Sequence, residues 1–303
     1  MKNLSVYKVL ESNENQVKFD MEKMGSLIHV PLTDLQQSKI GFVPVVKDEM
    51  IIAGIADYTI FKLRASKRVA VKQDAIEREL QHQIKKFERE DTPYDMDVIC
   101  GEVTDMLTRT SNITSKDYLV IYDKVNDQFL FDCNTAVAQE GVSIILKSLS
   151  HEIDLALVET EPFILQKVLT SYLTDRKMLP DLMEVEEKVT LGTPTPAGKK
   201  PKGANITIKK EYLGSPEVLN HIKNNKVVHS LDIELDGGLF FNIDHRFNIS
   251  GITYENHLDF EESSELSVED NFVAEYTLKL AEISKVLNIL YLEVENNTPL
   301  EED

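Results

Sequence analysis

Asp57–Leu63 (DYTIFKL) is rich in β-branched and aromatic residues, a composition that predicts a strand. Arg64–Arg68 reads as a polar turn and Val69–Val71 as a short return strand. A helix opens at Asp74, with Glu77 three residues on in the manner of a capping box. Its apolar stripe of Ile76, Leu80, Ile84 and Phe87 is narrow, so the rest of the helix faces water or a polar partner. Thr92-Pro93 ends it. The pattern then recurs. Tyr118–Tyr122 (YLVIY) predicts a strand, Asp123–Asp127 a turn and Gln128–Cys133 (QFLFDC) a second strand. Asn134 or Thr135 caps a helix that carries Ala138, Val142, Ile145 and Leu149. A strand–turn–strand–helix unit thus occurs twice, about 60 residues apart, a spacing at which a duplication is worth testing.

Between the two units, Asp91–Lys116 is an excursion from the core and is expected to protrude as an arm. Residues 162–188 read as helical with an interruption at Pro180, and Gly192–Gly203 (GTPTPAGKKPKG) as an exposed loop. Val227–Leu235 and Leu239–Ile243 flank Asp236-Gly237-Gly238, a hairpin signal, and Ile249–Tyr254 extends that sheet. A last helix over Val268–Leu292 carries Phe272, Tyr276, Leu280, Ile283, Leu287 and Leu290, a stripe for a core or an oligomer contact. From Glu293 an acidic tail follows. The expected class is α+β, with mainly antiparallel sheets and flanking helices. The expected division is a central domain of residues 1–75 plus 117–165, an arm or finger of 76–116, and a C-terminal α+β domain of 166–303.

Composition narrows the function. The chain has 303 residues, 42% of them hydrophobic and 28% charged, as in soluble globular proteins. No apolar run reaches the ~18–20 residues of a membrane span, and the first residues show no signal peptide. Two cysteines, Cys100 and Cys133, exclude a disulfide scaffold or a Cys-rich zinc site and fit a reducing compartment. Cys133 is expected to be a buried core thiol. Lys and Arg number 33 against 52 Asp and Glu, a net charge of −19 that excludes a globally basic nucleic-acid binder. The charge is uneven. Residues 255–303 hold fourteen acids and two bases, residues 61–90 nine bases and five acids, and residues 198–210 five lysines and no acid. This asymmetry suggests a basic face for a polyanion and an acidic face that repels it.

Catalytic signatures fail on spacing. The stretch from Gly192 to Lys200 is one residue too long for a phosphate loop, lacks the Ser/Thr ligand and has two prolines where N–H donors are needed. His151-Glu152 lacks the second histidine of a zincin, since Leu155 stands there. Asp181, Glu186, Glu187 and Lys188 evoke a metal-dependent nuclease, but within two turns of a helix they read as a surface acidic face. No catalytic constellation, metal site or cofactor is expected.

Lys2–Tyr7, Ile40–Pro44, Val125-Asn126 and Phe131-Asp132-Cys133, taken in order, resemble stretches of the RdgC family, recombination-associated bacterial DNA-binding proteins. Lys2-Asn3-Leu4-Ser5-Val6-Tyr7 is similar to the family's Phe-Lys-Asn-Leu-x-Val-Tyr opening, and Ile40-Gly41-Phe42-Val43-Pro44 to its Met-Gly-Trp-Val-Pro. Val125-Asn126, Phe131-Asp132-Cys133 and Leu146-Lys147-Ser148-Leu149 follow in family order, then Asn220-His221-Ile222 and Lys226-Val227-Val228. The resemblance implies a ring-shaped homodimer around double-stranded DNA, bound without strong sequence preference. It implies limited access for a RecA-type recombinase, a further possible partner, and a cytoplasmic, nucleoid-associated location with no membrane. The family also carries an exonuclease label without an established catalytic site. Its Lys-Lys-Gln-Asp-Leu becomes Lys209-Lys210-Glu211-Tyr212-Leu213, where the glutamate would repel phosphate. Its aromatic finger tip falls on Asn112, beside Ile113, so an inserted apolar wedge is weakened. The leading DNA contacts are Lys199, Lys200, Lys202, Lys209 and Lys210, followed by Lys85, Lys86, Arg89, Arg109 and Lys116. Strand alternation would turn Lys209 and Lys210 to opposite faces; the resemblance and the place beside Glu211 imply that Lys210 is the closer contact, with Lys209 peripheral. The alternatives are an acidic interaction protein that grips a recombinase directly, and a metal-dependent exonuclease.

Overall fold

A computed structural model describes residues 1–10, 17–34, 36–49, 51–55, 57–90, 92–158, 162–175, 178–194, 203–236, 238–255 and 266–298. The elements begin with β1 (Asn3–Val9), α1 (Met21–Ser26), β2 (Ser38–Val43), β3 (Ile51–Ile55) and β4 (Tyr58–Arg68). Next come α2 (Gln73–Arg89), α3 (Met96–Thr110), β5 (Ile113–Asp123), β6 (Gln128–Phe131), α4 (Thr135–Ser148), β7 (Leu155–Leu157) and α5 (Pro162–Thr174). The remainder are β8 (Met183–Gly192), β9 (Ile206–Lys209), α6 (Pro216–Lys223), β10 (Val227–Leu235), β11 (Leu239–Asp244), β12 (Ile249–Tyr254) and α7 (Val268–Asn297). Among the described residues, twelve strands form one antiparallel sheet in the order β2-β4-β5-β6-β1-β12-β11-β10-β8-β9, with β3 beside β4 and β7 beside β1. The mixed α/β character and the antiparallel sheet agree with the sequence reading. Among the described residues, no helix is long and apolar enough to cross a membrane.

β1 joins the two halves of the sheet. Ser5–Lys8 pair with β6, Asn3 and Leu4 with β12, and Tyr7–Val9 with β7. Both faces of the neighbouring strands are covered, which explains their unbroken apolar runs. Ile60, Leu119, Ile121 and Leu130 belong to one core, together with α5 and the α7 residues Leu280, Ile283, Val286, Leu287 and Leu290. Phe61, Tyr118, Val120, Tyr122, Phe129 and Phe131 belong to the other, together with Ala138 and Ile145 of α4. Each such aliphatic side chain contributes roughly 1.5–3 kcal/mol on burial. The α7 stripe is therefore buried within its own chain. Polar ties reinforce its position: the Tyr58 and Ser284 hydroxyls lie 2.5 Å apart, and Tyr291 Oη donates to Gln128 Oε1 at 2.7 Å. Asn134 caps α4, its side chain accepting from Val137 N at 3.1 Å. Cys133 is buried, which pushes its thiol up to about 12.

Four local expectations are corrected. Arg64–Arg68 form no turn, and Val69–Val71 form no return strand. β4 runs unbroken to Arg68 because both its edges are paired, with β2 and with β5. Its polar residues find cross-strand partners: Arg64 binds Asp117 through two bonds of 2.6 and 2.8 Å, and the Ser66 and Ser115 hydroxyls lie 2.7 Å apart. The anticipated strand–turn–strand–helix order holds for β5, β6 and α4, whereas the strand pair preceding α2 is β3 and β4. Residues 183–188 are not helical but begin β8. Between Val185 and Val189 that strand advances four residues while β10 advances only from Ile233 to Leu231, a bulge that masks the period-2 pattern of Met183, Val185, Val189 and Leu191. α2 starts at Gln73 with Lys72 as N-cap and no side-chain capping bond, so Asp74 and Glu77 form no capping box. The excursion after α2 contains a second helix, α3, whose N-cap Asp95 accepts from Asp97 N and Val98 N at 2.8 and 3.4 Å.

Gly41 lets the chain approach itself. A Cβ there would stand 2.6 Å from Leu27 O and 2.8 Å from His29 N, both backbone atoms. Only the bare glycine allows residues 27–29 to lie along β2, where Phe42 N donates to Leu27 O at 3.0 Å and His29 N to Phe42 O at 2.8 Å.

Candidate nucleic-acid interface

Lys209 ends β9 and pairs with Lys188 on β8. At Lys210 the backbone enters the left-handed region, with φ 58°, and its N–H donates to Glu187 O at 2.9 Å. That turn breaks strand alternation. Both lysines border the same groove of about 430 Å³. Both are exposed, with no acidic partner among the described residues. Lys188 lines the groove too, but its ammonium is held by Asp232 at 3.2 Å. Glu186, Glu187 and Glu255 also border it, so the groove is mixed in sign rather than uniformly basic. Nearby on β10, desolvation, and then a hydrogen bond and repulsion from Glu186, hold the Glu234 carboxyl above its usual range.

Glu211 has a structural tie as well as a charge. Ser215 Oγ donates to Glu211 Oε1 at 3.1 Å, and the same hydroxyl caps α6 by accepting from Val218 N at 3.4 Å. Lys199, Lys200 and Lys202 lie outside the described residues. Both flanks of their segment are anchored: His229 Nε2 is 2.9 Å from Thr193 O, and Lys226 Nζ donates to Ala204 O at 3.0 Å.

The second set of cations sits towards the other end of the strand order. Lys85, Lys86 and Arg89 are exposed on α2, which has no buried residue and packs against α3. Arg109 on α3 pairs with Asp105 at 3.7 Å, and Lys116 is exposed on β5 opposite Ala65. Asn112 and Ile113 stand where α3 passes into β5; the Asn112 carbonyl accepts from Val69 N at 2.8 Å, and Ile113 pairs with Arg68. The turn between α2 and α3 instead carries Tyr94, whose ring lies 5.8 Å from that of Phe87. Several bases of the 61–90 stretch serve the fold. Arg68 is buried and donates to the carbonyls of Thr33, Gln36, Arg109 and Ser111, while Lys62 donates to Val45 O at 2.5 Å.

Asp181, Glu186, Glu187 and Lys188 share no helix face: Glu186, Glu187 and Lys188 lie on strand β8, where Lys188 binds Asp232 of β10. Among the described residues, no three His, Cys, Asp or Glu side chains are grouped so as to hold a metal ion.

The family model RdgC, described as "Putative exonuclease, RdgC", matches residues 1–296. None of the curated proteins compared with the chain matches it.

Proposed function

The chain belongs to the RdgC family, and from that premise we propose that it binds double-stranded DNA without strong sequence preference, as a homodimer closed into a ring. The family match over residues 1–296 carries this reading. Exposed cations without acidic partners among the described residues, Lys209 and Lys210 on one side and Lys85, Lys86 and Arg89 on the other, supply its chemistry. Such side chains neutralise phosphates and release counterions without reading bases. The net charge of −19 keeps other surfaces away from the polyanion. A ring on the duplex would limit access of a RecA-type recombinase, and we place the protein in the cytoplasm on the nucleoid. A direct grip on a recombinase is the second reading, favoured by the fourteen acids of residues 255–303.

The protein acts by binding and leaves DNA intact. The test is a gel shift on end-labelled duplex across a salt series, with and without magnesium. The expected result is an unbroken label and an affinity that falls linearly with salt on logarithmic axes. Absence of a shift at low salt would overturn duplex binding. Magnesium-dependent loss of the label that disappears in Asp181→Ala or Glu186→Ala would replace this reading with a nuclease.

A further inference from the structure

We infer that Tyr212 is a stacking platform for an unpaired DNA base, at the corner between β9 and α6. This rests on the DNA-binding reading above and adds the DNA structure that the site takes. Tyr212 is 73% exposed, whereas the next most exposed described tyrosine, Tyr94, is 39%. Its ring does not hang free. A Cβ on Gly214 would meet Tyr212 Cε1 and Cζ at 2.7 Å and the hydroxyl at 2.8 Å, so the phenol end of the ring lies against that glycine. The rest of the side chain is largely open to solvent.

The turn that holds the ring is tied at several points. Lys210 N donates to Glu187 O and Ser215 N to Tyr212 O, both at 2.9 Å, and Leu213 is buried between them in sequence. The Glu211 carboxylate is engaged by Ser215 at 3.1 Å. A ring already fixed in place loses little freedom when something stacks on it. The tyrosine hydroxyl makes no hydrogen bond among the described residues. Two and three residues back stand Lys210 and Lys209, exposed and without acidic partners among the described residues. An exposed aromatic ring that follows two exposed lysines within three residues suits a nucleobase and its adjoining phosphate: any base has a π-face, and the cations hold the backbone. In an intact duplex the base faces are covered by their neighbours. The ring can meet one only where the stack is open, at a gap, a frayed end or an extruded nucleotide.

The experiment uses the full chain and two duplexes of equal length, one intact and one with a single unpaired 2-aminopurine. Wild type and Tyr212→Phe should quench the probe and prefer the interrupted duplex. Tyr212→Ala should bind the intact duplex as wild type does, lose the quenching, and bind the interrupted one more weakly by on the order of 10-fold. Gly214→Ala, which pushes the ring off its seat, should lose part of the quenching. Equal quenching and affinity in wild type and Tyr212→Ala, or no preference in wild type, would overturn the stacking site while leaving duplex binding intact. Failure of wild type to bind either DNA would overturn both.

Discussion

At Lys210 one backbone angle, φ 58°, decides what two side chains can reach. Because both lysines border one groove, Lys210→Glu should weaken binding to unrelated duplexes alike. In a two-fold dimer the salt slope should fall by about two units, at ~0.9 per phosphate contact. Glu211→Gln keeps an acceptor for Ser215 and removes a negative charge, so it should bind more tightly. Salt titrations of the three proteins on two duplexes decide both points, and an unchanged slope in Lys210→Glu would shift the DNA surface to α2. His229 allows a prediction about stability. Burial, with the charges of His245, Lys226 and Arg246, lowers its pKa below the ordinary 6.5. As pH falls below about 6.5 the unfolded chain takes up the proton first, so stability falls from there towards the lowered folded value. His29, lowered by burial and by Arg64, acts with the same sign. Melting temperature should therefore drop from about pH 7.5 to about pH 5.5, and less steeply in His229→Gln; equal slopes would refute the assignment. At this scale the sequence reveals composition better than partnership. The burial of Cys133 is legible from its apolar surroundings, but the carbonyls that occupy Arg68 come from four residues up to 43 positions away.

Elements were legible where periodicity and punctuation agreed. β10 and β11 pair as the expected hairpin, with Leu235 opposite Leu239, and Asn134 starts α4. β8 was hidden because its bulge places Glu186, Glu187 and Lys188 where alternation would ask for an apolar residue. The outer half of β4 was hidden because its polar residues are satisfied across the ladder by His29, Ser115 and Asp117, far away in sequence. β2 depends on Gly41. Gly41→Ala forces a methyl against backbone atoms at 2.6 and 2.8 Å, which the segment 27–29 relieves only by leaving the sheet edge. A cost of about 1–3 kcal/mol is expected in denaturant unfolding, with little effect on the salt slope of DNA binding. A cost under about 0.5 kcal/mol would mean that the segment yields freely.

At the scale of the whole molecule, the stripe around Leu280, Ile283 and Leu287 is spent on the chain's own core, so the proposed dimer would have to use another surface. Light scattering should give a dimer at micromolar concentration. A monomer with and without DNA would remove the ring. Such assembly cannot be read from periodicity, which reports that a face is apolar without saying what covers it. The position of β1 has a consequence for the order of events in folding. Ser5 pairs with Phe131 and Asn3 with Ser250, so this strand is synthesised long before its partners. Closing loops of that length is slow, and the half-sheet ending at β6 presents an open edge until β1 docks. Nascent chains stalled before β12 should therefore be protease-sensitive and prone to strand exchange, and the two halves should gain their protection together when the last strands leave the ribosome.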